Sequence, residues 1–163
     1  MFPRLLSTVV LLLLGGCASV LSDRVLEQEP RVAFETVQAD PERSVGKLVV
    51  VGGSILKIHE TGGQSYLEVL EQPLDGSLRP VSGDVSAGRF LIRMAGKPDP
   101  AVWFEDRRVT LAGRVEGVQS RPLGRMTYRY PVLKIEEVHL WPETGRYYSS
   151  PRVGFSVGGG FSF

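Results

Sequence analysis

From Val45 onward, apolar residues recur with the two-residue period of strands. Leu48 to Val51, then Ile55 and Ile58, form a β-branched run with Gly52 and Gly53 inside it, the pattern of a strand that bends or bulges at a glycine pair. Thr61-Gly62-Gly63-Gln64 supplies a turn, and Tyr66, Val69 and Leu70 fall in the strand that returns from it. Pro73 to Gly88 is rich in Pro, Asp, Gly and Ser and predicts a long connection. Phe90, Leu91, Ile92 and Met94 predict a third strand. Ala101 to Glu105 predicts one helical turn, capped by Asp99 with Pro100 at its first position, which brings Trp103 and Phe104 to the core. Val109, Leu111, Gly113 and Val115 alternate with Arg108, Thr110, Ala112 and Arg114, a fourth strand with one wet face. After a turn at Arg121 to Arg125, Tyr128 to Leu140 predicts a fifth strand, in which Pro131 calls for an edge or bulge position. A bent first strand and a helical turn before the fourth predict an all-β domain, a small OB-like Greek-key barrel, with a β-sandwich as the alternative.

Ahead of this block the pattern changes. Arg4 precedes an apolar run from Leu5 to Leu14 and then Gly15-Gly16-Cys17, the order of a secretory signal. The run is about half the roughly twenty residues that span a bilayer as a helix, so removal of residues 1–16 is expected. Leu14-Gly15-Gly16-Cys17 resembles the bacterial lipobox. The resemblance implies cleavage between Gly16 and Cys17, a thioether from Cys17 to diacylglycerol, and an acyl chain on the new amine, with no other cofactor. Ala18 and Ser19 follow, neither of them aspartate, which by the same resemblance directs the product to the periplasmic face of the outer membrane. Cys17 is the only cysteine, so no disulfide forms within the chain. Ser19 to Pro30 mixes Ser, Asp, Arg, Glu, Gln and Pro with scattered Val and Leu, a composition read as unpacked. Residues 17–30 are therefore expected to be a lipidated flexible tether with a reach of roughly 20 Å. Val32 to Val37 predicts a short strand or a helical turn. The barrel domain then occupies residues 31–142.

Residues 143–163 form a Gly- and aromatic-rich tail with Val153, Phe155, Val157, Phe161 and Phe163 on one parity. That pattern resembles the terminal strand of outer-membrane barrels, but one strand closes no barrel, and a mobile tail open to strand addition is expected.

Composition narrows the function classes. The chain carries 19 Lys+Arg against 18 Asp+Glu, so no overall charge recruits a nucleic acid or an anionic lipid. His59 and His139 are the only histidines and lie at no zinc-ligand spacing, so no metal site is expected. Ser82 and Ser86 lack the Gly-x-Ser-x-Gly frame of a nucleophile elbow. Glu68 and Glu71 are an odd number of residues apart on a strand and face opposite sides, which suits solvated carboxylates better than a glycosidase pair. The most suggestive patch is basic. Arg107, Arg108, Arg114 and Arg129 with Tyr128 are the candidate face for an anionic ligand such as peptidoglycan, a lipid head group or an acidic envelope protein. The alternative is a solvated face whose cations pair with Glu60, Glu68 and Glu116.

A set of short motifs carries a family resemblance: Phe34, Pro41, Gly46, Gly52-Gly53, Tyr66-Leu67-Glu68, Gln72-Pro73-Leu74, Gly88-Arg89-Phe90, Asp99-Pro100, Val109 to Gly113 and Val138-His139-Leu140-Trp141. In this order they resemble the Slp family, the starvation-inducible bacterial outer-membrane lipoproteins, from the lipobox to Trp141, with the residues after Pro142 outside the resemblance. The resemblance implies an outer-membrane lipoprotein without established catalytic chemistry. The expected function is a non-catalytic binding or envelope-maintenance module; the alternative is a periplasmic hydrolase acting on an envelope polymer.

Overall fold

The β-branched run after Lys47 forms one long strand, and the other strands are arranged around it. The structure, a computed structural model, describes residues 19–28 and 30–142; the lipobox and the tail 143–163 lie outside them. Its elements are α1 (Asp23–Leu26), β1 (Arg31–Val32), α2 (Phe34–Ala39), β2 (Leu48–Thr61), β3 (Gln64–Glu71), β4 (Arg89–Arg93), β5 (Arg108–Leu123) and β6 (Met126–Leu140).

The strands follow the order β1-β2-β3-β4-β6-β5, and β5 pairs back onto β2, so β2, β3, β4, β6 and β5 close a ring. Within the ring only β4 and β6 run parallel, through Leu91↔Val132 to Arg93↔Lys134. The expected barrel with Greek-key order is thus the observed architecture. Val49, Val51, Ile55, Leu67, Val69, Phe90, Ile92, Val109, Leu111 and Leu133 fill its interior, each at most 2% exposed. Phe34 and Val37 of α2 belong to the same cluster, and the Phe34 ring meets Phe90 at 5.3 Å. The Val32 to Val37 region therefore takes both of the forms offered as alternatives, the last residue of a short strand and then a helix.

The glycine pair sits where β2 changes partners, and the irregularity in register lies elsewhere. Gly53 pairs with Val109 on one side and Glu71 on the other, the point where β2 passes from β5 to β3. A Cβ there would stand 1.8 Å from the Leu70 carbonyl oxygen, a contact no side chain tolerates. The register shift itself falls between Ile55 and Lys57.

Three expectations are corrected. The supposed wet face of β5 is dry at Thr110 and Ala112, both 0% exposed. Leu78 accepts a hydrogen bond from the Thr110 hydroxyl at 2.7 Å, and the Trp141 indole donates to the same hydroxyl at 2.9 Å. The segment read as a flexible tether is packed from Leu21 onward: Leu21 (2% exposed) and Val25 (0%) cluster with Leu48 and Ala112. Leu21 lies just before the N-cap of α1 and Val25 within it, and the two meet the same patch of the barrel, a signal that average composition hides. Finally, the turn expected over 101–105 is present, with Val102 and Trp103 N–H donating to the Asp99 carbonyl and Ala101 N–H to its side chain, but it carries Trp103 only to the margin of the core. Trp103 consequently lies against the core, partly buried, and does not plug it.

Candidate functional site

Strand alternation points Leu67 and Val69 into the barrel and Tyr66 and Glu68 outward. The outward face is nonetheless covered. Leu91 (0% exposed), Tyr130 (1%) and Val132 (6%) form a second apolar cluster on the wall, flanked by Tyr66 and Tyr128, and Glu68 is only 6% exposed among them. A carboxylate in that position needs donors. Glu68 Oε1 accepts from Arg89 Nη1 at 2.8 Å and from the Tyr130 hydroxyl at 3.1 Å, and Oε2 lies 2.7 Å from His59 Nε2. An ionised carboxylate can only accept, so the imidazole Nε2 carries the proton. Burial pushes the Glu68 carboxyl up, but the hydrogen bonds from His59, Arg89 and Tyr130 outweigh it and hold the group below the ordinary glutamate range. The Arg89 guanidinium moves upward through its hydrogen bond to Glu68. The Tyr130 hydroxyl also moves upward, first through burial and then through the adjacent Glu68 charge.

A tyrosine pair holds this cluster in place. Tyr128 and Tyr130 meet at a tilt with ring centroids 4.7 Å apart, and the Tyr128 hydroxyl accepts from the Arg89 backbone N–H at 2.9 Å. Gly88 precedes Arg89 at φ +136°, and a Cβ there would stand 2.4 Å from that hydroxyl, so only glycine lets the two strands meet.

On the other side of β3, Glu71 is 7% exposed and its Oε2 accepts from the Ala87 N–H at 2.6 Å. Burial raises its pKa, the Ala87 bond opposes this, and the charge of Glu35 adds to the rise. The two carboxylates do face opposite sides, but neither is solvated as the sequence suggested.

Chemically, the His59–Glu68 pair has the form of a base with its orienting carboxylate. Among the described residues no serine or threonine hydroxyl bonds to His59. An ionised Glu68 with three donors in place is also no proton donor. Nor do the described residues hold a group of three or more His, Cys, Asp or Glu suited to a metal ion.

The arginines expected to form an anionic-ligand face are not gathered. Arg107 donates to the Val102 carbonyl at 2.7 Å and lies over Phe104 at 5.2 Å. Arg108 reaches the Pro80 carbonyl at 3.5 Å. Arg114 bonds Glu136 and the Gly46 carbonyl, each at 2.7 Å, and Gln28 at 3.2 Å. Arg129 pairs with Glu42, and Tyr128 belongs to the Glu68 site. Arg108 and Arg114 share a strand face but stand about 20 Å apart along it, with buried Thr110 and Ala112 between them. The acids named as alternative partners are paired, but with neighbouring cations outside the four arginines: Glu60 with Lys97, Glu68 with Arg89, Glu116 with Arg93. Gly16 and Cys17 lie outside the described residues. The His59–Glu68 contact has a signal in the sequence, since the turn at Gly62-Gly63 pairs His59 with Tyr66 and so leaves it one pleat from Glu68 on the same face.

A closed barrel with a self-paired polar cluster in its wall and an export-type N-terminus defines a small β-barrel module of the cell envelope. The chain belongs to the Slp family of outer membrane lipoproteins, whose family model matches residues 14–157. It is therefore an outer membrane lipoprotein. The match takes in Leu14 to Cys17 and runs past Pro142, so the tail, read as outside the resemblance, is largely within the family. The uncharacterized lipoprotein YeaY of Escherichia coli (strain K12) is 28% identical over 143 residues, covering 86% of this chain and 73% of that protein. Outer membrane protein Slp of the same organism is 26% identical over 134 residues, covering 79% and 69%. The solved N-terminal domain of PriB protein from Thermoanaerobacter tencongensis overlaps 59% of this chain and 97% of its own at 14% identity, with a TM-score of 0.30 that carries no argument.

Proposed function

We propose that the chain is a non-catalytic binding or envelope-maintenance module, cleaved after Gly16 and held on the periplasmic face of the outer membrane by diacylglycerol and an acyl chain on Cys17. Its partners are the membrane lipid, through the anchor, and peptidoglycan or another envelope protein. The observation that carries the non-catalytic reading is the self-sufficiency of the Glu68 cluster: a guanidinium, an imidazole and a phenol all hydrogen-bond one buried carboxylate, which serves rigidity better than proton transfer. No observation favours the hydrolase alternative.

The test combines two measurements. Mass spectrometry of the outer-membrane fraction should find acylated Cys17 as the first residue, and Cys17→Ser should remain an uncleaved or soluble precursor. Peptidoglycan incubated with the purified protein should stay intact. Release of soluble glycan or peptide fragments would overturn the non-catalytic reading.

A further inference from the structure

The segment that composition marks as a tether is docked, and this fixes how the barrel meets the membrane. Leu21 and Val25 are at most 2% exposed against Leu48 and Ala112, with Val20, Leu26, Val50 and Leu78 at the margin. Polar straps reinforce the contact. Ser22 donates its N–H to Glu137 Oε2 at 2.8 Å and its hydroxyl to Oε1 at 2.5 Å, Arg114 donates to Gln28 at 3.2 Å, and Arg31 donates to the Leu26 carbonyl at 2.7 Å.

We infer that residues 19–28 are a clasp that holds the barrel against the lipid surface bearing the anchor, with α1 and the adjoining parts of β2, β5 and β6 turned toward it. This rests on the lipidation of Cys17 proposed above. From Cys17 to Leu21 is four residues, a leash of about 14 Å even when fully extended. A free chain from Cys17 to Pro30 would extend to about 45 Å. The leash is shorter than the barrel itself, since β5 alone runs about 50 Å. Exposed Asp23 and Arg24 on α1 and Glu27 at its C-terminal cap mix both signs, so the leash and not headgroup charge keeps the surfaces together.

The test uses the full lipidated chain in vesicles of zwitterionic and anionic phospholipid. Cys17 is the only cysteine and its thiol is taken by the lipid, so Val138→Cys, at a position 37% exposed beside Glu137, carries the one free thiol for a fluorescent donor. Energy transfer to a headgroup-labelled lipid should be high and unchanged by salt. Twelve Gly/Ser residues inserted between Ala18 and Ser19 leave the clasp docked and should lower transfer by about half or more. Leu21→Asp with Val25→Asp should lower it similarly by freeing the clasp, and the insertion decides the matter if that variant fails to fold. Equal transfer from parent and insertion variant, or a loss of transfer with added salt, overturns the inference. Flotation and the mass of Cys17 keep the two readings apart: a chain that does not float acylated defeats the anchor, whereas one that floats acylated but ignores the insertion defeats only the clasp.

Discussion

Glu68 and Glu71 sit three residues apart on β3, equally buried at 6% and 7% exposure, and their carboxyls move in opposite directions. Burial pushes both up. Glu68 has Arg89, Tyr130 and His59 to reverse the push; Glu71 has one backbone N–H, with the Glu35 charge working against it. Depth in the protein therefore does not set ionisation; the supply of donors does. The consequences for stability also oppose each other. A depressed acid such as Glu68 contributes stability that is present above its unfolded pKa and lost as pH falls through its folded value. A raised acid such as Glu71 contributes stability that is full below its unfolded pKa and lost as pH rises through its folded value.

The strongest way to break this contrast is Glu68→Leu, which strips the acceptor from an arginine, a phenol and an imidazole at once. Urea unfolding should show a loss of about 3 kcal/mol, since removing one partner strands the others, tempered by the partial exposure of Arg89. Gly88→Ala drives a methyl toward the Tyr128 hydroxyl at an unfavourable φ, and should cost about 2 kcal/mol in the same assay. Tyr130→Phe removes one donor of three and should cost about 1 kcal/mol. The smallest change is Glu71→Gln, which keeps an oxygen for the Ala87 N–H and removes the charge facing Glu35; it should stabilise by about 0.5 kcal/mol at neutral pH. Stability against pH sharpens the pair further. Glu68→Gln should flatten the acid-side loss, and Glu71→Gln should remove a decline seen as pH rises. A parallel profile for the two variants would sink the comparison.

The barrel was legible because its strands keep a period of two and its turns carry Gly62-Gly63 and the Arg121 to Arg125 break. Those signals are local and survive any packing. The clasp was not legible, because Leu21 and Val25 flank the start of a helix of four residues whose partners, Leu48 and Ala112, are distant in the sequence. Thr110 and Ala112 were read as wet for the same reason: alternation reports the two sides of a strand, not what later covers the outer one. The Glu68 site fell between these cases. His59 was placed by a readable hairpin, but Arg89 and Tyr130 reach Glu68 only through β4 and β6, whose parallel pairing no short-range pattern announces. The partners of the arginines were not legible either, since Arg107, Arg108, Arg114 and Arg129 each meet a segment distant in the sequence or a carbonyl that no local pattern marks.

The β2–β5 pairing bears on life in a crowded leaflet. Copies of a lipoprotein diffuse in two dimensions and collide often, and an open sheet would offer each neighbour a row of unpaired amides and carbonyls. Closing the ring withdraws most of that row. What remains among the described strands includes β1, the end of β2 beyond its pairing with β5, the end of β6 beyond its pairing with β4, and the far part of the β5–β6 hairpin, where the chain places Pro122 and Pro131 with Arg121 and Arg129. Prolines that lack an N–H to donate and charges that repel their own kind make a poor template for another strand. The barrel can thus be concentrated at a surface without the copies knitting into a common sheet.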